Sequence, residues 1–321
     1  MQFRTPIPIL ESIFPIDYNS KIMSVGSCFA VNMAEKWDNF KFQNSCNPFG
    51  IIFNPVSIEK LVERIVNKRM FTESDIFFHN DLWHCFEIHS ELSNPDKEAF
   101  LHSLNQLIHS TNQQITEATH FLFTYGTAWV YRNIESKQIV ANCHKVPQKQ
   151  FTKELVSIER IQTAIQNTIR LIQSINPAAK FIFTVSPVRH IKDGFVENTL
   201  SKSHLISAIH STHPDSYRDS QLITYNYFPS YEIMMDELRD YRFYAEDMLH
   251  PSQVAIDYIW QRFKETSISK TAFAIMDEVE GIQKGLSHRP FNQQSESHQK
   301  FIAKLQIRIT KLHSEYPFMK F

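Results

Sequence analysis

Short apolar runs alternate along the chain with longer stretches whose apolar residues recur every three or four positions. The short runs predict buried strands, and they cover residues 21–25, 82–88, 120–125, 180–185 and 222–225. The longer stretches predict amphipathic helices, and they cover residues 30–37, 57–66, 95–118, 158–172, 199–210 and 255–263. Buried strands that alternate with helices are typical of a mostly parallel sheet covered on both faces. We therefore predict an α/β fold of this kind.

The pattern changes near Ser267. Beyond that residue, helical stretches at residues 272–282 and 301–312 flank a polar stretch at residues 287–299. We predict one domain over residues 1–266 and a helical C-terminal extension over residues 267–321. The extension could pack on the preceding domain, or its helices could mediate assembly into a homo-oligomer.

Composition and charge narrow the class of protein. The chain has 321 residues, of which 42% are hydrophobic and 21% charged, and its formal net charge is −1. A basic surface for nucleic acid is therefore not expected. No apolar run reaches the roughly 18 residues of a membrane span, and the N-terminus lacks the apolar core of a signal peptide.

The cysteines and histidines bear on compartment and metal binding. The four cysteines, Cys28, Cys46, Cys85 and Cys143, form no C-x-x-C pair, which indicates free thiols and a cytoplasmic protein. The histidines His79, His84 and His89 surround Glu87 in one stretch, but a third convergent zinc ligand is not evident. Glycine-rich phosphate loops are also absent from the sequence. We therefore expect neither a metal nor a cofactor.

Three of the predicted strands end in residues that are suited to a binding site. These residues are Gly26-Ser27-Cys28, Gly126-Thr127 and Ser186-Pro187. Ligands of open parallel sheets bind outside the carboxyl ends of the strands. The sequence therefore predicts a site where these three segments meet.

The turn at Gly26-Ser27-Cys28 joins a predicted strand to a predicted helix. A nucleophile at the start of a helix benefits from unpaired backbone N–H groups and from the helix dipole, which favour a thiolate or an oxyanion. The same residues also fit a plain helix start, in which Ser27 caps the helix and Cys28 is a small buried side chain.

A second candidate segment is Asp247-Met248-Leu249-His250. An Asp three residues before a His can accept a hydrogen bond from Nδ1 and leave Nε2 free to serve as a base. The alternative is a capped loop that carries a surface ion pair.

Together these segments resemble, in order and spacing, the nucleophile and base blocks of the SGNH/GDSL hydrolases. The pentapeptide Gly26-Ser27-Cys28-Phe29-Ala30 matches the motif for which the GSCFA-domain family is named. Further stretches that resemble this family are Asn47-Pro48-Phe49-Gly50, Gly126-Thr127-Ala128-Trp129, Ser186-Pro187-Val188-Arg189-His190 and Tyr227-Phe228-Pro229-Ser230-Tyr231-Glu232. The resemblance spans roughly residues 20 to 265. It implies a flavodoxin-like three-layer sandwich.

The resemblance also implies roles for individual residues. The nucleophile is the third residue of the first block, which is Cys28 here, with Ser27 as the alternative. In this scheme His250 is the base, Asp247 orients it, and Gly50 matches the second-block glycine whose N–H points into the oxyanion hole.

The third block is normally G-x-N, and here it is Gly126-Thr127-Ala128, so the Asn amide is missing. Thr127, Asn47 or a backbone N–H would have to replace it. One lost oxyanion donor can cost about 2.7–4 kcal/mol of barrier.

Other residues near the predicted strand ends could bind substrate. Arg189, followed by His190, could clamp a carboxylate or phosphate, or could lie in an exposed loop. Trp129 could form a platform on which a sugar stacks, or could be a core aromatic.

Three functions remain open from the sequence. The first is an esterase or acyl hydrolase that acts on O-acyl or thioester groups of a small polar or carbohydrate-like substrate through a Cys (or Ser)-His-Asp triad. The second is an acyltransferase to a sugar hydroxyl. The third is a ligand-binding module that kept the fold and lost efficient catalysis.

Overall fold

The computed structural model of the protein describes residues 5–212, 225–289, 291–292 and 294–321. The strands in these ranges are β1 (Lys21–Gly26), β2 (Gln43–Cys46), β3 (Phe77–His79), β4 (Leu82–His84), β5 (His120–Tyr125), β6 (Trp129–Asn133), β7 (Ile139–Val140), β8 (Phe151–Leu155), β9 (Lys180–Val185) and β10 (Tyr225–Phe228). The helices are α1 (Cys28–Asn39), α2 (Pro55–Val66), α3 (Lys97–Glu117), α4 (Ile158–Ile175), α5 (Phe195–Thr212), α6 (Ser230–Glu232), α7 (Gln253–Ser267), α8 (Phe273–Ser287) and α9 (Glu296–Glu315).

The central sheet is parallel and has the spatial order β2-β1-β5-β9-β10. Counted along the chain, its five described strands lie in the order 2-1-3-4-5, which is that of flavodoxin-like sheets. The predicted α/β fold with a mostly parallel sheet is confirmed. The strand order reverses between β1 and β5, and crevices at such switch points are where these folds bind ligands.

The alternation of side chains along the strands creates two apolar layers. In β5, Phe121 and Phe123 pack with α2, α3, α4 and α5 on one face of the sheet, whereas Leu122 packs with α1 and α7 on the other. Phe121 stacks on Phe181, and Phe123 stacks on Phe183, each with ring centroids 5.5 Å apart. Burial on both faces explains why these strands are mostly apolar. The result is a three-layer α/β sandwich.

The C-terminal helices α8 and α9 add to the second of these layers. Their side chains Met276, Val279, Ile282 and Leu305 join the apolar cluster that contains Trp37 of α1 and Trp260 of α7. The two tryptophan rings meet edge to face at 4.7 Å. The C-terminal segment therefore packs against the helices that cover the sheet. Across the described ranges, no helix is both long and apolar enough to cross a membrane.

Some predicted boundaries differ from the structure. The strand predicted over 82–88 ends at His84, because the chain then turns. Helix α2 begins at Pro55 and is capped by Asn54 rather than by Ser57, since the Asn54 side chain accepts the Ser57 N–H. The strand predicted at 222–225 is β10, which runs from Tyr225 to Phe228, and residues 222–224 lie outside the described residues.

The sequence pattern also did not predict a small antiparallel sheet. Its strands have the order β7-β6-β8 and lie between β5 and α4 in the chain. Trp129 is the first residue of β6 in this sheet. A further hairpin pairs β3 with β4.

Candidate active site

The carboxyl ends of three neighbouring strands meet at one edge of the central sheet. Gly26 of β1 lies opposite Thr124 of β5, and Thr124 lies opposite Thr184 of β9. Two residues beyond each of these positions stand Cys28, Gly126 and Ser186. The three predicted segments therefore converge, and they do so beside the switch point between β1 and β5.

The turn at Gly26 brings two backbones into close approach. Gly26 has φ +150, and a Cβ atom at this position would lie 2.2 Å from the carbonyl oxygen of Thr124. The next residue, Ser27, donates its backbone N–H to the same carbonyl at 3.0 Å. Only glycine avoids this clash, so the sharp turn depends on Gly26.

Ser27 and Cys28 have different environments. The side chain of Ser27 is fully buried, at 0% exposure, and its hydroxyl accepts the Phe29 N–H at 3.3 Å as the N-cap of α1. Cys28 is the first residue of the helix and is only partly buried. The capping role predicted for Ser27 thus occupies its hydroxyl, whereas Cys28 is a partly exposed residue.

The pKa of the Cys28 thiol reflects opposing influences. Burial raises it above its ordinary value, and the carboxylate of Asp247 raises it further. The backbone N–H groups of Phe29 and Cys28 at the helix start and the charge of Lys202 lower it. The loop that carries Asp247 lies at the same edge of the sheet as the turn, because the Leu249 carbonyl accepts the N–H of Arg189, which follows β9.

Asp247 binds His250 through both carboxylate oxygens. Its Oδ2 lies 2.5 Å from His250 Nδ1, and its Oδ1 accepts the backbone N–H groups of Leu249 and His250, each at 2.9 Å. These hydrogen bonds hold the pKa of Asp247 at about 2. Because Nδ1 is occupied by the carboxylate, Nε2 is the ring atom that can exchange a proton. The side chains of His250 and Asp247 are 48% and 45% exposed.

The loop that carries this pair is held in a specific shape. Met248, between the two, has φ +59, a left-handed conformation that is uncommon for a residue with a side chain. The Ala245 N–H donates to the His250 carbonyl at 2.7 Å and closes the loop. The Arg189 N–H donates to the Leu249 carbonyl at 3.3 Å and ties the loop to the segment after β9.

Asn47 and Gly50 lie in the turn after β2. Asn47 Oδ1 accepts the Gly26 N–H at 2.8 Å, whereas its Nδ2 is buried and lacks a hydrogen-bond partner among the described residues. Gly50 has φ +75, and its N–H donates to the Asn47 carbonyl at 2.8 Å. The Gly50 N–H is therefore used within its own turn, and the unpaired amide donor beside the Gly26-Ser27-Cys28 turn belongs to Asn47.

The segment after β5 faces α5. The Gly126 N–H donates to the Phe53 carbonyl at 2.8 Å, and Thr127 Oγ1 lies 2.9 Å from Ser201 Oγ. Trp129 donates its indole N–H to the Glu197 carbonyl at 3.1 Å. These hydrogen bonds give Thr127 and Trp129 a structural role, because they join the segment after β5 to α5.

Arg189 and His190 follow β9, next to the Asp247 loop. The Arg189 guanidinium lies 5.1 Å from the Phe195 ring centroid, and its Nε is buried without a hydrogen-bond partner in the described part of the chain. The His190 ring stacks on Phe53 at 5.6 Å. Burial, the charge of Lys202 and that of His250 lower the pKa of His190 to about 4, so its ring is neutral near pH 7.

Lys202 lies outside the motifs that the sequence pattern singled out, and it is fully buried at the same edge of the sheet. Its Nζ donates to the carbonyl oxygens of Gly126 and Ser186, each at 2.8 Å. A signal was present, because Lys202 lies three residues before Leu205 and seven before Ile209 on the buried face of α5. A lysine at helical spacing among core residues indicates a buried amine.

The histidine-rich stretch does not converge on a metal site. The rings of His84 and His144 lie 4.7 Å apart, but each makes its own hydrogen bonds, to His79 and Ser93 and to the Cys85 carbonyl respectively. Among the residues that the structure describes, no group of three or more His, Cys, Asp or Glu side chains could hold a metal ion.

Comparison with protein-family models gives two matches. The model described as GSCFA family matches residues 21–263, and the model described as GSCFA domain protein, C-terminal domain, matches residues 279–321. Comparison with curated proteins gave no match.

Proposed function

The chain belongs to the GSCFA family, and from its site we propose that it is an SGNH-type enzyme that cleaves an ester or thioester by nucleophilic attack of Cys28. The observation that carries the proposal is the Asp247–His250 pair, with Oδ2 2.5 Å from Nδ1, in a loop bound through the Leu249 carbonyl to the segment after β9, at the same edge of the sheet as the helix start that bears Cys28. A nucleophile, a base and a group that orients the base are the three parts of a catalytic triad.

The reaction follows from these roles. His250 Nε2 takes the proton of Cys28, and the sulfur attacks the acyl carbon. His250 returns the proton to the leaving alcohol or thiol, so that an acyl thioester on Cys28 and a free alcohol or thiol result. Water, activated by the same histidine, then releases the carboxylic acid and restores the thiol.

The contacts of Ser27 and Cys28 favour Cys28 as the nucleophile. Ser27 Oγ accepts a helix N–H and is inaccessible, whereas the Cys28 thiol is only partly buried. No hydrogen bond joins Cys28 to His250 in the described part of the chain. The proposal therefore requires the exposed His250 ring to approach the sulfur when substrate binds, as catalytic hydrogen bonds commonly tighten only in the substrate complex.

Asn47 is the best candidate for the oxyanion donor that the third block lacks. Its amide is fixed by the hydrogen bond from Gly26 N–H to Oδ1 at 2.8 Å, and Gly26 lies two residues before Cys28 in the chain. Its Nδ2 is unpaired in the described part of the chain, and an unpaired buried donor is costly unless a ligand uses it. We propose that Asn47 Nδ2 and the Cys28 N–H stabilise the oxyanion.

Water access favours hydrolysis over transfer. About half of the His250 and Asp247 side chains is exposed, so water can reach the acyl enzyme. We propose an O-acyl or thioester group on a small polar or carbohydrate-like molecule as substrate, because Arg189 and His190 offer polar groups beside the loop. Transfer of the acyl group to a sugar hydroxyl is the variant of the same chemistry.

One observation favours a second candidate function. No hydrogen bond joins the Cys28 thiol to His250 in the described part of the chain, and burial raises the thiol pKa even though Lys202 and the N–H groups at the helix start lower it. A thiol that stays protonated fits a module that binds its ligand without efficient catalysis.

Turnover of a panel of p-nitrophenyl esters and acyl thioesters separates the two functions. We expect hydrolysis by the wild type and by Cys143→Ala, which removes a partly exposed thiol elsewhere, and loss of hydrolysis in Cys28→Ala and His250→Ala. Equal rates in all four proteins, at the level of the uncatalysed reaction, would contradict the enzyme and support the binding module.

A further inference from the structure

Lys202 carries a buried amine that the scheme above does not use. Its side chain is 1% exposed, and its Nζ donates to the carbonyls of Gly126 and Ser186. The Tyr231 ring centroid lies 5.4 Å from Nζ. No carboxylate lies within ion-pair distance of it in the described ranges. Burying an ammonium without a carboxylate partner is costly. An anion that Lys202 stabilises during the reaction would explain why the amine is buried.

Lys202 binds the strand ends that neighbour the Cys28 turn. Gly126 and Ser186 occupy the same level of the sheet edge as Cys28, two residues beyond the paired Gly26, Thr124 and Thr184. Lys202 therefore binds the backbone at two of three neighbouring strand ends, and the third strand end carries the thiol. An ammonium has three N–H donors, and the two carbonyls use two of them.

Charges couple Lys202 to Cys28 in both directions. The positive charge of Lys202 lowers the pKa of Cys28, and a negative charge on Cys28 raises the pKa of Lys202. Burial lowers the pKa of Lys202 to about 7, although the negative charges of Cys28 and Glu232 raise it. The amine thus titrates in the range where the enzyme would work.

The other charged groups around the pair act less directly. Glu232, whose carboxylate accepts hydrogen bonds from Tyr227 Oη at 2.7 and 2.9 Å, raises the pKa of Lys202. Asp247 raises the pKa of Cys28. Lys202 and His250 both lower the pKa of His190, which stays neutral near pH 7. Among these groups, Lys202 is the one whose positive charge lowers the pKa of Cys28.

We propose that Lys202 is the charge partner of the Cys28 thiolate and that its ammonium stabilises the sulfur anion before attack. The proton leaves Cys28 for His250, as in the proposed function on which this inference rests, and Lys202 keeps its own proton. Because Lys202 acts through the sulfur of Cys28 and contacts no reacting atom of the substrate, it is a positioning residue. It also supplies positive charge at the third block, where the Asn amide is missing.

The test is the pH dependence of Cys28 alkylation by iodoacetamide, followed by peptide mass mapping. In Lys202→Met we expect the midpoint for Cys28 to rise by about one pH unit, so that the rate at pH 7 falls about tenfold. The matched control, Lys149→Met, removes an exposed lysine and should leave the midpoint unchanged. An unchanged midpoint in folded Lys202→Met would overturn the proposal.

A second measurement leaves Lys202 in place, for the case in which Lys202→Met does not fold. Lysine labelled with ¹³C at Cε reports the titration of each amine by NMR. We expect the low midpoint of Lys202 to move to lower pH in Cys28→Ala and to stay in place in Cys143→Ala. If the midpoint does not move in Cys28→Ala, the sulfur is neutral while Lys202 titrates, and the proposal is wrong.

Neither measurement depends on turnover. If the protein hydrolyses no ester but shows the coupled titration, the proposed function is wrong and the ion pair between Lys202 and Cys28 is supported. If the protein hydrolyses esters through Cys28 but shows no coupled titration, the proposed function is supported and the proposed role of Lys202 is wrong.

Discussion

Asp247 Oδ2 lies 2.5 Å from His250 Nδ1, while Asp247 Oδ1 accepts the backbone N–H of the same histidine at 2.9 Å. One carboxylate thus fixes both the backbone and the ring of His250. Because the bond to Nδ1 selects the tautomer, Nε2 is left as the proton acceptor. The orientation of the base depends on a residue only three positions away in the chain.

Replacing Asp247 by Asn should therefore disable the base without unfolding the loop. The amide can still accept the two backbone N–H groups, but it cannot balance the charge of a protonated imidazole. We expect kcat for ester hydrolysis to fall by about 10²–10⁴-fold with little change in KM. Asp257→Asn, which removes a surface carboxylate paired with Lys36, is the control and should retain wild-type kcat. Equal kcat in the two variants would exclude Asp247 from catalysis.

Asn47→Asp tests the proposed oxyanion donor. The aspartate keeps the oxygen that accepts the Gly26 N–H and tolerates the left-handed backbone at φ +46, but it lacks the Nδ2 donor. We expect kcat/KM to fall by about 10²–10³-fold while the thermal unfolding midpoint changes little. Asn44→Asp, in β2 and before the turn, is the control. If Asn47→Asp retains full activity, another group stabilises the oxyanion.

Gly26→Ala tests the geometry of the nucleophile turn. The added Cβ would lie 2.2 Å from a backbone oxygen, and the residue would keep φ +150. We expect a loss of about 1–3 kcal/mol in the free energy of unfolding, measured in urea. Gly281→Ala is the matched control, because its Cβ meets only the flexible end of Arg308 and alanine favours a helix. A Gly26→Ala protein as stable as Gly281→Ala would contradict the described turn.

His144 should make stability depend on pH. Its side chain is 3% exposed, and burial lowers its pKa from 6.5 to about 4, although its Nε2–H donates to the Cys85 carbonyl at 2.7 Å. The unfolded chain therefore binds a proton below pH 6.5, and the folded chain does so only near pH 4. The stabilising contribution of the neutral ring is full above pH 6.5 and is lost as the pH falls toward 4, by at most about 3 kcal/mol.

Urea unfolding at pH 7 and pH 4.5 measures this effect. His144→Asn should show a smaller difference between the two pH values than the wild type. The exposed His102→Asn should behave like the wild type. A His144→Asn protein with the full wild-type difference would show that other groups control it.

Much of the central sheet could be predicted from the sequence because its inner strands are uniform. Strands β5 and β9 are mostly apolar, since both of their faces are covered, and Gly26 and Gly126 mark where the chain leaves the sheet. Strand β2 was missed because it is an edge strand of sequence QNSC and is only partly buried. The β6-β7-β8 sheet was missed because its strands are short and partly polar.

The site was predictable only where its residues are close in sequence. Ser27 and Cys28 are adjacent, and Asp247 and His250 share one loop, so their local chemistry was visible. Asn47 was a candidate from the sequence, but its contact with Gly26, and the contacts of Lys202 with Gly126 and Ser186, are made only in the folded chain. The domain division at residue 266, assembly through the C-terminal helices and a cytoplasmic location stay predictions.

The most direct test of the central claim is the mass of the intact protein after brief mixing with an activated ester, followed by peptide mapping. We predict one acyl group on Cys28 in the wild type, no acyl group in Cys28→Ala, and the same adduct in Ser27→Ala. In His250→Ala the adduct should form more slowly. An adduct on Ser27 would contradict the choice of nucleophile. An adduct on neither residue, with every ester and thioester tested, would contradict the proposed enzyme.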